Sequence, residues 1–97
     1  VIESFGSKGT EDIFNGKNST VARRLLPSGL WRIAFRKLDQ IDSATTLDDL
    51  RIPPGNRLEE LKGTRAGEYS IRINDQYRIC FEWKHKGASN VEMVDYH

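Results

Sequence analysis

From Glu68 to Trp83 the chain reads E-Y-S-I-R-I-N-D-Q-Y-R-I-C-F-E-W, two alternating apolar/polar runs separated by Asn74-Asp75-Gln76. Alternation is the period of a half-buried strand, and a short polar break between two such runs marks a hairpin turn. Folded about Asp75, the odd positions Tyr69, Ile71, Ile73, Tyr77, Ile79, Phe81 and Trp83 share one apolar face. Glu68, Ser70, Arg72, Arg78, Cys80 and Glu82 share the other, and Arg72 falls directly opposite Arg78. Like charges so placed repel. Three explanations remain open: an anion held between them, neutralisation by Glu82 or another carboxylate, or side chains pointing into water.

Ahead of this hairpin the pattern turns helical. Thr10 to Phe14 predicts one or two turns capped by Thr10 or Ser7 and ended at Gly16, and Val21 to Leu26 predicts a further short helix. The strongest helix is expected from Pro27-Ser28 to about Ile41. Leu30, Ala34, Leu38 and Ile41 form its core stripe, widened by Trp31 and Phe35, with Arg32, Arg36, Lys37 and Asp39 outside. Arg23, Arg24, Arg32, Arg36 and Lys37 mark either a solvated surface or a nucleic-acid face. Thr46 to Leu50 reads as a helical turn, and Ile52-Pro53-Pro54-Gly55-Asn56 as an extended segment entering a turn. Leu58 and Leu61 return a short strand or coil to the core, and 62–67 is a flexible basic loop.

Val1 to Phe5 is a candidate edge strand, and Lys84 to Asn90 a polar loop before a last strand over Val91 to Tyr96. Pairing that strand back about Gly87 sets Trp83 opposite Val91, Phe81 opposite Met93 and Arg78 opposite Tyr96, which places Tyr96 on the face of Arg72 and Arg78. Asp95 and His97 take the other parity. A one-residue slip exchanges the two sets. Helices first and antiparallel strands after predict an α+β fold, a mostly antiparallel sheet with N-terminal helices packed on one face.

The 97 residues predict one domain spanning 1–97. No apolar run approaches a membrane span, no signal peptide is visible, and the start at Val1 is read as loss of an initiator methionine. The single cysteine, Cys80, excludes an internal disulfide and a cysteine zinc site, and a reducing cytoplasm is expected. Net charge is only +1, which excludes a global nucleic-acid signature. Between Arg51 and Lys86, however, eight Lys/Arg stand against five Asp/Glu.

The run R-L-E-E-L-K-G-T-R-A-G-E-Y-S-I-R-I-N-D-Q-Y-R-I-C-F-E-W and the terminal V-E-M-V-D-Y-H resemble the HigB or "killer protein" toxins, a branch of the RelE-like superfamily. The P-P-G-N-R-L lead-in and the opening I-E-S-F resemble it too, so the likeness spans nearly the whole chain. It implies a toxin of a type II toxin–antitoxin system, an endoribonuclease that cuts messenger RNA in the ribosomal A site. The implied partners are the ribosome with its mRNA and a helix-turn-helix, HigA-like antitoxin. Through the antitoxin alone the toxin reaches operator DNA; no membrane, cofactor or metal is implied. Position by position, Arg72 and Arg78 match phosphate-holding hairpin residues. Lys62 matches a basic residue of the preceding loop, where Arg65 is a second RNA-binding candidate. Asp95, Tyr96 and His97 match the terminal catalytic trio. Some relatives carry a histidine three residues ahead of the loop lysine; this chain has Glu59, which leaves the general base open and makes Glu59 a candidate for it.

Elementary chemistry fits these roles. Cleavage at a 2′-hydroxyl needs a base, an acid for the leaving 5′-oxygen and cations for the phosphorane. His97 suits either proton role, Asp95 can orient it or act as base, Tyr96 can stack or donate, and the arginines can clamp phosphate. On its own D-Y-H is equally a solvated chain end. Two other readings stand beside the nuclease: a non-enzymatic toxin of the same fold, like the ParE-type gyrase poisons, and a weakly active toxin acting mainly as antitoxin co-regulator.

Overall fold

The computed structural model describes residues 1–85 and 87–96. Three helices lead the chain: α1 (Lys8–Phe14), α2 (Thr20–Leu25) and α3 (Trp31–Ser43), the last entered through a 3-10 turn at Ser28–Leu30. Each short helix begins at a serine. Ser7 Oγ accepts from Thr10 N at 3.4 Å, and Ser19 Oγ accepts from Ala22 N at 3.1 Å, satisfying first-turn N–H groups that have no helical partner. Ser19 Oγ also donates to Asp12 Oδ2 at 2.6 Å, so the cap of α2 is fastened to α1. Just past α1, Gly16 takes φ +73, a left-handed turn that glycine adopts without steric cost.

Along α3 the predicted stripe is only partly core. Ala34, Leu38 and Ile41 are buried, while Leu30 and Trp31 are half-buried, the indole donating to Leu26 O at 2.8 Å. Phe35 is 45% exposed, contrary to the expected core position. One residue on from Ala34 it is rotated about 100° from the core direction, and it stacks on Phe14 at 6.0 Å.

The sheet contains β1 (Glu59–Glu60), β2 (Glu68–Arg72), β3 (Tyr77–Lys84) and β4 (Gly87–Asp95), in that spatial order and antiparallel throughout. The hairpin of β2 and β3 has the register expected from its alternation: Tyr69 pairs with Phe81, Ile71 with Ile79 and Arg72 with Arg78. Beyond β4 the first residues add parallel bridges, Ile2 to Ala88 and Phe5 to Val91, so the segment read as an edge strand lies against the sheet's far side.

The last strand pairs differently from expectation. In place of the predicted polar loop, β3 runs on to Lys84, which pairs directly with Gly87. A Cβ on Gly87 would lie 3.0 Å from the Val1 carbonyl, so a larger residue there would push the N-terminal segment outward by a few tenths of an ångström. Trp83 consequently pairs with Ala88 rather than Val91, and Arg78 with Val94 rather than Tyr96. Between Cys80–Glu92 and Glu82–Ser89 the ladder shifts by one residue, with Asn90 at φ 53 as the extra residue of a bulge. Asn90 is well suited to that left-handed conformation, and its side chain donates to Glu82 Oε2 at 2.8 Å. The bulge returns 92, 94 and 96 to the face of Arg78 and Cys80, so Tyr96 keeps its predicted face with a changed partner.

Apolar residues of the two layers meet between helices and sheet. Ile13, Ala22, Leu26, Leu38 and Ile41 pack against Ile71, Ile79, Phe81, Val91 and Met93. Thr10 Oγ1 accepts from Met93 N at 3.0 Å and ties α1 to β4. On the sheet's other side Ser70 and Cys80 are also fully buried, and Arg78 is only 7% exposed. Beside and across this side runs the segment from Arg57 to Arg65, with β1 as the sheet's edge strand. Leu61 N bonds Glu68 O at 2.8 Å, and Arg65 joins Glu68 (2.9 Å) to Glu92 (3.0 Å). Burial pushes the Cys80 thiol up to about 11, which suits a packed sheet residue and not a nucleophile.

Candidate active site

Opposite the helices, a cleft of about 240 Å³ is lined by Arg57, Glu59, Arg72, Asn74, Asp75, Arg78 and Tyr96. Its floor comes from the β2–β3 hairpin. The turn that joins these strands is locked by Asn74, whose Oδ1 accepts from Gln76 N at 2.9 Å and Tyr77 N at 2.8 Å, the side-chain-to-backbone closure that asparagine favours in turns. This turn carries Asp75 back to Arg72, and the two form an ion pair.

Arg78 is held quite differently. Its Nε donates to Ser70 Oγ at 2.7 Å, and one Nη2 donates to the Arg57 carbonyl at 2.6 Å and to Ser70 O at 3.3 Å. The remaining nitrogen, Nη1, stands 3.6 Å from Glu59 Oε1. The guanidinium also lies 5.8 Å from the centre of the Tyr96 ring, within reach of a cation–π interaction. Tyr96 N bonds Gln76 O at 2.6 Å, which holds the end of the chain beside the hairpin turn.

Arg57 reaches this position through a buried polar staple. Asn56 is fully buried, donates to Gln40 Oε1 and Leu50 O at 3.1 Å, and accepts from Lys37 Nζ of α3. Arg57 follows with φ 47 and ψ 56, a left-handed turn that aims its carbonyl at Arg78. The helical layer therefore anchors one wall of the cleft. Burial lowers the Lys37 pKa, with the Arg36 charge adding to the shift.

The cleft brings together Glu59, Arg72, Arg78 and Tyr96 among the residues singled out from sequence. Asp95 pairs with Tyr77 on the other parity, its Oδ2 accepting from Gln76 Nε2 at 3.1 Å. Arg65 spends its guanidinium on Glu68 and Glu92, and the Glu92 carboxylate raises its pKa. Lys62 is exposed ahead of the 3-10 turn at Gly63–Arg65 and does not line the cleft. His97 lies outside the described residues. Glu82, weighed as the neutralising carboxylate, is engaged by Asn90 and by Lys84 at 3.3 Å; Asp75 and Glu59 neutralise the arginines instead.

Sequence reasoning missed Ser70, Arg57 and Asn74. Ser70 and Arg57 act through a buried hydroxyl and a backbone carbonyl, neither of which leaves a pattern in side-chain type. Asn74 is visible only as a turn residue. Among the described residues no three His, Cys, Asp or Glu converge as a metal-binding set.

Three antiparallel long strands under a helical layer, with an arginine–carboxylate–tyrosine cleft on the face away from the helices, define a small α+β domain. Residues 3–97 match the HigB-like toxins, described as the RelE-like toxin of type II toxin–antitoxin system HigB, and the chain belongs to that family. It is 53% identical to Toxin HigB-1 of Vibrio cholerae over 60 residues, 62% of this chain and 63% of that protein. It is 39% identical to an uncharacterized protein of Haemophilus influenzae over 66 residues, 68% of this chain and 65% of the other. These matches thus span slightly under two thirds of each relative's length. In fold the chain is similar to a chain of the YoeB-YefM complex from Staphylococcus aureus, with TM-score 0.61, 16% identity, and coverage of 100% of this chain and 98% of the other. The YoeB dimer from the same organism gives TM-score 0.58 at 17% identity, covering 99% and 97%.

Proposed function

We propose that the chain is the toxin of a type II toxin–antitoxin pair and an endoribonuclease that cuts messenger RNA on translating ribosomes. The observation that carries this reading is the convergence of Arg72, Arg78, Glu59 and Tyr96 on one cleft of about 240 Å³. A scissile phosphate between the two guanidiniums replaces Asp75 and Glu59 as their counterion. Release of Glu59 from Arg78 frees a carboxylate beside the phosphate, placed to take the 2′-hydroxyl proton as that oxygen attacks phosphorus. The products are a 2′,3′-cyclic phosphate and a 5′-hydroxyl. The arginines stabilise the added charge of the phosphorane, and the Tyr96 ring offers a stacking surface for a neighbouring base. His97, next in the chain after Tyr96, is assigned the proton donated to the leaving 5′-oxygen. Asp95 helps hold Tyr96 in place through Gln76, and Lys62 contributes a peripheral RNA contact, while Arg65 stays engaged with Glu68 and Glu92. No step is assigned to a metal or cofactor.

Dependence on the ribosome follows from charge. Binding RNA by phosphate neutralisation alone takes several free cations, and here the net charge is +1 with two of the three cleft arginines, Arg72 and Arg78, already paired. The ribosome must supply most of the mRNA positioning. Action there places the protein in the cytoplasm; among the described residues no helix is long and apolar enough to cross a membrane. The partner is a helix-turn-helix antitoxin, through which operator DNA is reached. Purified protein is to be given the same mRNA free and on translating ribosomes. Efficient cleavage only on ribosomes supports the reading; equal rates in both, or none in either, contradicts it.

A further inference from the structure

Arg78 belongs to the proposed phosphate clamp, yet it is 7% exposed and most of its hydrogen-bonding capacity faces inward. An arginine carries five N–H donors in a rigid planar fork. Fixing the Nε edge therefore fixes where the Nη1 end points. That edge is fixed by Ser70, whose fully buried Oγ accepts from Nε at 2.7 Å.

The register explains why the contact forms. Ser70 pairs with Glu59 on one side and Cys80 on the other, and Arg78 is the diagonal neighbour two residues from Cys80. Ser70 thus sits on the sheet face between the candidate base and the guanidinium. Its side chain is small enough for Arg78 to lie across it and polar enough to bond what lies there. With Nε held by Ser70 and Nη2 by the Arg57 carbonyl, Nη1 is the nitrogen left facing Glu59.

We infer that Ser70 is a positioning residue of the active site, acting through Arg78 to present Nη1 toward the scissile phosphate and Glu59. This inference rests on the proposed nuclease reading. Ser70 itself touches no substrate. Without its hydroxyl the fork is held only through Nη2, by the Arg57 and Ser70 carbonyls, and can pivot on those contacts, so the Nη1 donors lose alignment with an in-line phosphorane although the positive charge stays.

Single-turnover cleavage of ribosome-bound mRNA by wild type, Ser70→Ala, Arg78→Lys and the double variant tests this, with each protein's thermal unfolding recorded alongside. Ser70→Ala is expected to lower cleavage about tenfold, the scale of one hydrogen bond to a charged group, in kcat rather than KM. In the Arg78→Lys background, where no fork remains to be aligned, it should change cleavage less than about twofold. Equal losses in both backgrounds, or no loss in the first, would overturn the inference. If Arg78→Lys itself cleaves like wild type, the phosphate-clamp reading fails and the inference falls with it. Should Ser70→Ala not fold, the Arg78 Nε–H resonance of the wild-type protein decides. Slow solvent exchange is expected of a donor buried on Ser70, and exchange as fast as in a free arginine side chain would overturn it.

Discussion

Arg72 and Arg78 face each other across β2 and β3 and are nevertheless held in opposite ways. Arg72 reaches along the surface to the exposed Asp75, whereas Arg78 lies buried against Ser70 and the Arg57 carbonyl. Repulsion between them is relieved because each guanidinium has its own carboxylate, Asp75 for one and Glu59 for the other. The unequal settings give unequal mutational costs. Arg72→Ala removes a surface ion pair together with a like-charge neighbour and should change stability by less than about 1 kcal/mol. Arg78→Ala leaves a buried hydroxyl and a carbonyl without their donor and should cost about 2–4 kcal/mol. Urea unfolding of the two variants measures the contrast; equal destabilisation would show that Arg78's inward bonds carry little.

Glu59 stands where the proposed reaction needs a base, and Glu59→Gln keeps its shape while removing its charge. Cleavage should fall by about two to four orders of magnitude, the usual span of general-base catalysis. If Glu59 only neutralised Arg78, the same substitution would leave a freer guanidinium and tighter phosphate binding. Cleavage at or above the wild-type rate would therefore remove Glu59 from proton transfer and leave that role to the terminal residues.

Far from the cleft, Asp12 gives the fold an acid-sensitive joint. The Ser19 hydroxyl chiefly, and Lys8 with it, hold its carboxyl below the ordinary 3.8, against the opposing effect of burial. A depressed folded-state pKa stabilises the fold fully above the unfolded value, and that stabilisation is lost as pH falls through the lower folded value. Wild type should thus melt above Asp12→Asn at neutral pH, and the gap should narrow as pH drops below about 4. A gap that is constant with pH would show that the carboxylate's charge plays no part.

Periodicity located the β2–β3 hairpin and its register because alternation and a polar turn agree, which is why Arg72 and Arg78 could be paired from sequence alone. The register of β4 escaped it. A bulge residue such as Asn90 leaves the alternation on each side intact and only shifts one stretch against the other. Phe35 misled for a related reason: an aromatic one position off the stripe can lie on a neighbouring ring at the surface as well as in the core. Within the cleft, charged and aromatic members were visible as residue types. Ser70 and the Arg57 carbonyl were not, because their importance comes from which guanidinium the fold brings onto them. Arg65 has the composition of an RNA contact, but the two strands that flank Cys80 supply the carboxylates that take up its guanidinium.

If the cleft around Arg72 and Arg78 cuts mRNA, as proposed, Arg72→Ala is the sharpest probe of it, because that variant should keep its fold. Primer-extension mapping of a translated message, with the wild-type and variant proteins at equal concentration, reports both the position and the rate of cutting. Discrete cuts within the ribosome-covered codons by wild type, reduced at least about a hundredfold in the folded variant, are the predicted result. A folded Arg72→Ala protein that cuts the same codons at the wild-type rate would contradict it.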